Sequence, residues 1–429
     1  MARTPDKLRR SGYAPAANPG VGRRGLHTRD RILACAAEVF LANGFHATSL
    51  DAIAKAAHAS RATVYQYFAG KEEIFRELST LAEHDVLAHG EHLGQLAPTI
   101  DGLKALHHWL VEWADIYDAH AAVFAEFPGI GTATGLAVID AGTAADQFHE
   151  MVTDRLRKCG LRDLDAHDAA AALGRIPHMV HLYRYRAMLA LPARATVTLS
   201  LAVALQLMLF PETPDDVLRA AAPTGPARPP SRTVNGAEPT PAVVEASGSP
   251  IAQDVLSVSS ALFAERGYYA VGMAEIAAAA EVSRATLYRY FSTKDTILAE
   301  LTRRAVVEIE QHAAALPAMA ADSLIEWMLG YVRFHRTYRG VIRAWFDGTV
   351  AEQLSDADVD HGIGATFQSV AALLSTVDLP PGVDADVASA VFVAVLGRMS
   401  EPTGAREPDS DERAAELMVK LLRRALLRW

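Results

Sequence analysis

Apolar positions along this chain recur at intervals of three and four, the period of a helix with one buried face. No stretch shows the period of two expected of a half-buried strand, so the pattern predicts an all-α protein without a sheet. A helix opens at Thr28 and buries Ile32, Ala36, Val39 and Phe40, and Asn43-Gly44 ends it. Thr48 with Asp51 three residues on signals the cap of a short helix over 51–57. His58-Ala59-Ser60 reads as a tight turn, with Ser60 as N-cap of a third helix over 61–68. Two short helices around such a turn make a helix-turn-helix. Helical patterns continue over 71–88, 101–127, 144–159, 166–190 and 194–210, broken at Pro98, Pro128-Gly129, Gly160 and Pro192.

The same spelling then returns. Ser60-Arg61-Ala62-Thr63-Val64-Tyr65-Gln66-Tyr67-Phe68, with Lys71, recurs 223 positions on as Ser283-Arg284-Ala285-Thr286-Leu287-Tyr288-Arg289-Tyr290-Phe291, with Lys294. A repeat at constant offset means duplicated units. The second unit predicts helices over 252–266, 274–280, 284–291, 294–315, 321–338, 340–350, 363–376, 384–399 and 411–428. Between the units, residues 223–250 hold seven prolines and too few apolar side chains to fold. The expected domains are a basic arm (1–27), a first helix-turn-helix domain (28–75) and a first helical body (76–222). The Pro-rich linker (223–250), a second helix-turn-helix domain (251–298) and a second body (299–429) follow.

Charge alters this picture in one place. The chain carries −10 overall, yet residues 1–27 carry six basic groups against one acidic, a net +5. The two helix-turn-helix domains are close to neutral, at zero and −1. The arm is expected to be disordered and to add phosphate affinity to the first copy. Two cysteines and no apolar leader point to a reducing cytoplasm. The apolar run 197–210 falls short of the roughly 20 residues a membrane span needs, so no membrane partner is expected and an interface helix is.

A short helix of this kind fits the major groove of B-DNA, about 12 Å wide. Arg61 and Arg284 stand at the first turn, where a guanine edge or a phosphate is in reach. Thr63 and Thr286 offer hydroxyl and methyl, Tyr65, Tyr67, Tyr288 and Tyr290 offer phenols, and Lys71 and Lys294 open the next helix near the backbone. Ser60 and Ser283 cap the reading helices. Gly44, Thr48-Ser49, Ile53-Ala54, Ala56-Ala57, Ser60 to Tyr65, Tyr67-Phe68 and Lys71 resemble the DNA-binding domain of TetR-family regulators. Phe263, Gly267, Ile276-Ala277, Ala279-Ala280, Val282 to Tyr288, Tyr290-Phe291 and Lys294 resemble it again.

The resemblance implies a repressor that binds double-stranded DNA as a two-fold pair and releases it when a small ligand enters the helical body. It implies DNA contacts at the positions of Thr48, Arg61, Thr63, Tyr65, Tyr67 and Lys71. It also implies a four-helix bundle, built here from 166–210 and 384–428, between paired bodies. Copy two departs from the pattern, because Thr48-Ser49 become Val271-Gly272, which removes the phosphate-binding hydroxyls. Copy one is therefore expected to be the stronger reader.

A 28-residue flexible linker has a root-mean-square span of roughly 30 Å, close to the ~34 Å between half-sites. An intramolecular pseudo-dimer reading an asymmetric operator is expected, against a homodimer of tandem chains. A rival reading keeps only the first helix-turn-helix as a DNA binder and makes the second unit a dimerisation and ligand-sensing platform. Trp113, Tyr117, Phe127 and His178 in the first body, with Tyr331, His335 and Trp345 in the second, are candidates for a pocket taking a small apolar ligand. His178 and His181 lack a carboxylate or cysteine at matching spacing for a metal. No phosphate loop or nucleophile elbow occurs, so neither an enzyme nor a cofactor is expected.

Overall fold

The computed structural model describes residues 23–126, 141–221, 249–345, 356–401 and 410–428, and all regular structure among them is helical. The first unit comprises α1 (Arg23–Ala47), α2 (Leu50–Ala56), α3 (Arg61–Tyr67), α4 (Lys71–Glu91) and α5 (Ile100–Ala119). It continues with the single turn α6 (Ala121–Phe124), α7 (Ala141–Leu156), α8 (Ala166–Tyr185), α9 (Arg194–Leu209) and α10 (Asp215–Ala221). The second comprises α11 (Pro250–Arg266), α12 (Met273–Ala279), α13 (Arg284–Tyr290) and α14 (Lys294–Ala313). Then come α15 (Leu324–Trp345), α16 (Asp356–Leu374), α17 (Ala385–Met399) and α18 (Asp411–Leu422), the last continuing into a wider turn at Arg423–Leu427. Residues 1–22 of the expected arm, and 222–248 of the linker region, lie outside the described residues. Helix α1 already runs through 23–27, and Pro250 stands at the first position of α11, where its missing N–H costs nothing.

Two departures from the expected helices have clear causes. The stretch expected as one helix over 101–127 breaks at His120, whose imidazole Nε2 lies 2.7 Å from Asp85 Oδ2 on α4. The two helices expected over 321–338 and 340–350 are one helix, α15. Gly340 sits inside it because α11 crosses there. A Cβ at Gly340 would come within 2.5 Å of the Ala264 nitrogen and 2.6 Å of the Ser260 carbonyl.

The first helix-turn-helix builds its own small core, whereas Phe263, Ile276, Leu287 and Phe291 of the second are continuous with the larger core. In the first, Ile32, Phe40, Phe45, Ile53, Val64, Phe68, Ile74 and Phe75 are buried together. Phe68, read as core from its spacing, is fully buried. The sharp turns need residues with positive φ: Gly44 (74°) kinks α1 before its last turn, and Gly267 (80°) ends α11. The helix-turn-helix turns place His58 (47°) and Glu281 (54°) in the same left-handed conformation.

The larger core runs through both units. Helix α8 packs along α17, and α9 packs on α17 and the end of α18. Every residue of α9 from Val197 to Leu209 is buried, at about 2 kcal/mol per large aliphatic side chain. Polar groups tie the same seam. Arg175 Nη1 donates to the carbonyls of Arg398 and Glu401, both at 3.0 Å, and Arg413 Nη2 reaches both Asp168 oxygens at 3.2 Å. Arg424 donates to the Met208 carbonyl at 3.1 Å and the Arg162 carbonyl at 2.9 Å, and the Asp384 N–H donates to Ser200 Oγ at 3.0 Å. Among the described residues no helix is long and apolar enough to cross a membrane.

Candidate nucleic-acid interface

The reading helices are set by their caps. Ser60 Oγ accepts from the Thr63 N–H at 3.0 Å and lies 2.8 Å from Thr63 Oγ1. Ser283 and Thr286 repeat this at 3.0 and 2.8 Å. Val64 and Leu287 are fully buried and anchor the inner faces of α3 and α13. That leaves Arg61 and Arg284 exposed on the first turns, Tyr288 53% exposed, and Tyr65, Tyr67, Thr63, Thr286 and Tyr290 at the same surface. The surface is therefore alike in both copies.

The arginines differ in what already holds them. Arg61 Nη2 reaches Tyr65 Oη at 3.4 Å and Nη1 reaches Asp51 Oδ2 at 3.2 Å, and these two contacts, the tyrosine first, raise its pKa. The position equivalent to Asp51 is Ala274, so Arg284 has no such carboxylate. Arg289, which stands where copy one has Gln66, is exposed with its guanidinium 5.1 Å from the Tyr290 ring centre. The motif spacing does not single out Arg289 as a contact. Comparing the two copies position by position reveals it as the one cation gained on α13. Tyr290 is also held from below, because Ser249 Oγ donates to its Oη at 3.1 Å.

Three expected contacts are placed elsewhere. Thr48 is only 2% exposed, and its hydroxyl donates to the Gly44 carbonyl at 2.7 Å. The N-cap of α2 is Ser49, whose Oγ accepts from the Ala52 N–H at 3.1 Å. Lys71 Nζ donates to the carbonyls of Phe45, His46 and Thr48 at 2.8–2.9 Å, closing the end of α1, and burial lowers its pKa. Lys294 Nζ likewise donates to the Tyr268 carbonyl at 2.7 Å and sits 4.2 Å from that ring. An ammonium with three carbonyl acceptors is committed to the fold before any phosphate arrives.

This also changes the reading of copy two. Val271 fills the buried place of Thr48 and is 1% exposed, so no surface hydroxyl is lost there. Gly272 has no side chain to cap α12; Glu275 accepts the Gly272 N–H at 2.9 Å instead, and its own N–H donates to the Gly272 carbonyl at 3.0 Å.

The candidate ligand residues form two unlike clusters. In the first body Tyr117 stacks on His181 at 5.2 Å and lies 4.9 Å from Phe124 and 5.7 Å from His178, while Trp113 lies 5.4 Å from Phe124. Trp113 Nε1, Tyr117 Oη and both ring nitrogens of His181 are buried without a hydrogen-bond partner. Burial holds His178 down to about 3 and His181 to about 4, so both are neutral at pH 7. In the second body the indoles are satisfied: Trp327 Nε1 donates to the His312 carbonyl at 2.9 Å and Trp345 Nε1 to Thr302 Oγ1 at 3.2 Å. Tyr331 lies 5.8 Å from Trp327 and 6.1 Å from His335. Phe127 lies outside the described residues. Among the described residues no group of three His, Cys, Asp or Glu is placed to hold a metal.

The family model described as bacterial regulatory proteins, tetR family, matches residues 32–78 and again 255–301. The HTH-type transcriptional regulator QacR of Staphylococcus aureus is 34% identical over 58 residues, 14% of this chain and 31% of QacR. The HTH-type transcriptional regulator UidR of Escherichia coli K12 is 39% identical over 61 residues, again 14% and 31%. The chain thus spans about a third of the length of the curated relatives it matches. Among solved structures, Salmonella enterica GusR aligns at 23% identity over 44% of this chain and 96% of its own, with a TM-score of 0.35. The reading helices α3 and α13 both fall inside the matched segments, so the chain carries twice a segment similar to the N-terminal unit of tetR-family regulators.

Proposed function

We propose that this chain is a DNA-binding transcriptional regulator whose two readers engage one asymmetric operator from within a single polypeptide. The observation that carries this reading is the equivalence of the two reading surfaces. The same Ser–Thr cap, the same leading arginine and the same pair of tyrosines stand on both α3 and α13. The hydrogen bonds between α8–α9 and α17–α18 support pairing of the two bodies within the chain. Arg61, Thr63, Tyr65 and Tyr67 take one half-site; Arg284, Thr286, Tyr288, Tyr290 and Arg289 take the other. Lys71 and Lys294 position these helices rather than bind phosphate directly. The protein acts in the cytoplasm as a repressor.

Release follows ligand entry into the first body. Trp113, Tyr117 and His181 offer buried donors and acceptors between aromatic faces, with no net charge. That chemistry takes a neutral, flat molecule carrying hydroxyl or carbonyl groups. Phe124, on the wall of this cluster, is two residues from Glu126, which holds the end of α1.

Genome-wide mapping of bound DNA tests the reading. The expected motif has two unlike halves, and Arg284→Ala/Tyr288→Ala loses specific binding as Arg61→Ala/Tyr65→Ala does. A palindrome of like halves would favour paired tandem chains. Unchanged binding by the second-copy variant alone would leave copy two as a platform.

A further inference from the structure

The two readers meet at equivalent residues. His46 and Tyr269 occupy the same position of the two copies, and their rings stack with centroids 3.9 Å apart and planes 26° apart. Phe45 lies edge-on to His46 at 5.4 Å, and its equivalent Tyr268 lies edge-on to Tyr269 at 5.4 Å. The row Phe45, His46, Tyr269, Tyr268 therefore reads alike from either end, as a contact across a two-fold axis must.

Each end of the row is rooted in its reader. Phe45 packs on Phe75 at 5.0 Å and Phe40 at 5.6 Å, and Tyr268 packs on Phe263 at 5.3 Å and hydrogen-bonds Asp295. Lys71 and Lys294, also equivalent, lie 4.7 and 4.2 Å from the outer rings while binding the local carbonyls. The row holds rings on short stems, with no long side chain to stretch. Moving one reader against the other has to unstack it.

We propose that this row is a spacing gauge: it fixes the separation of the two reading helices and thereby the half-site spacing the protein accepts. The inference rests on both readers engaging one operator. A reader of this size has a radius of gyration of about 10 Å, so two in contact have centres roughly 25 Å apart. That separation is nearer to half-sites one helical turn apart, about 34 Å, than to two turns. One added base pair moves a half-site by about 3.4 Å and turns it by about a tenth of a turn. Ring pairs attract out to centroid distances of about 7 Å, and about 3.4 Å added to the 3.9 Å stack passes that limit, so that step breaks the row.

The test keeps the two half-sites of the mapped operator and varies the spacer one base pair at a time, with binding measured by fluorescence anisotropy. Wild type should show one sharp optimum. His46→Ala/Tyr269→Ala should lose about 2- to 10-fold at the optimum, as expected for a lost aromatic pair, and less at neighbouring spacings. His46→Phe, which keeps a ring, should keep the optimum. An equally sharp profile in the double variant overturns the gauge. Tighter binding by that variant at every spacing also overturns it, because the row would then be a lock that DNA must open. A second measurement needs no DNA: spin labels at Ala62→Cys and Ala285→Cys, in a chain cleared of Cys35 and Cys159. A narrow distance in wild type that broadens in the double variant supports the gauge, and equal widths overturn it. Failure of DNA binding altogether would strike the proposed function while this distance still decides the gauge.

Discussion

The two readers present similar surfaces but hang differently from their bodies. Reader one is held at the end of α1 through Glu126, just beyond the single turn α6. Glu126 is 4% exposed, accepts the Phe45 N–H at 3.2 Å and lies 3.7 Å from Arg186 Nη2. Reader two lies flush on the 22-residue helix α15. There Ser260 Oγ donates to the Thr337 carbonyl at 2.7 Å, and Arg343 Nη1 donates to the Ala264 carbonyl at 3.1 Å. Arg343 also lies 3.5 Å from Glu401, beside the carbonyls that Arg175 of the first unit grips. Burial pushes the Glu401 carboxyl up, but Arg398 and Arg343 outweigh it and hold it at about 2. One reader is thus suspended from a short, separable piece, and the other is keyed into the seam between units. On the proposed function, this difference keeps both reading surfaces and confines the response to one half.

Acid should expose this contrast most strongly. Burial holds His89, His178 and His181 of the first body at about 4, 3 and 4, against His335 at about 4 in the second. The unfolded chain takes up these protons near pH 6.5, before the folded one does. Stability is therefore full above about 6.5 and falls as pH drops towards about 4. Each pH unit between the folded and unfolded values is worth about 1.36 kcal/mol, so three such groups in one body amount to several kcal/mol. Hydrogen exchange at pH 4.5 should show α5 and α8 losing protection before α15. Earlier loss in α15 would reverse the assignment of the weaker half.

Next in size is the suspension itself. Glu126→Ala leaves the Phe45 N–H and the Arg186 guanidinium without their buried carboxylate, at about 3 kcal/mol. Its footprint should lose the half-site under α3 and keep the one under α13. Gly340→Ala puts a methyl against the backbone of α11 and should cost about 2 kcal/mol, with the opposite footprint. Equal loss at both half-sites in either variant would mean that the readers are not hung separately.

Much of this is legible in the sequence, for identifiable reasons. The repeat, the caps at Ser60 and Ser283 and the buried faces of α3 and α13 follow from local chemistry at fixed spacing, and they appear as expected. Thr48 and Lys71 stand elsewhere than expected because spacing shows that a polar group lies near a surface but not whether a carbonyl has already claimed it. The continuous α15 is hidden because Gly340 looks like a breaker until the helix crossing it is known. Arg186 and Glu126 form their contact across 60 residues, and no local pattern records it.

A smaller effect concerns the leading arginines. Asp51 holds Arg61 at 3.2 Å with both side chains well exposed, so the pair competes with DNA but contributes little to stability. Asp51→Asn should strengthen operator binding a few-fold at low salt, the gain shrinking as salt screens the carboxylate. Copy two already has Ala274 there, so Ala274→Asp should weaken its half-site by a similar factor. Unchanged salt profiles would show that Arg61 leaves Asp51 at no cost.

The smallest effect tests how alike the two frames are. His58 and Glu281 hold the helix-turn-helix turns at φ 47° and 54°, and the next N–H closes each turn at 2.9 and 3.0 Å, Ala59 onto the Ala54 carbonyl and Val282 onto the Ala277 carbonyl. A non-glycine residue there carries roughly 1–2 kcal/mol of left-handed strain. Glycine removes it but adds freedom to the unfolded chain worth up to about 1 kcal/mol. His58→Gly and Glu281→Gly should therefore each stabilise their own reader by about 0.5 kcal/mol, seen as equal rises in local exchange protection. A gain in one reader and a loss in the other would place the difference inside the readers, and the contrast between their attachments would no longer account for it.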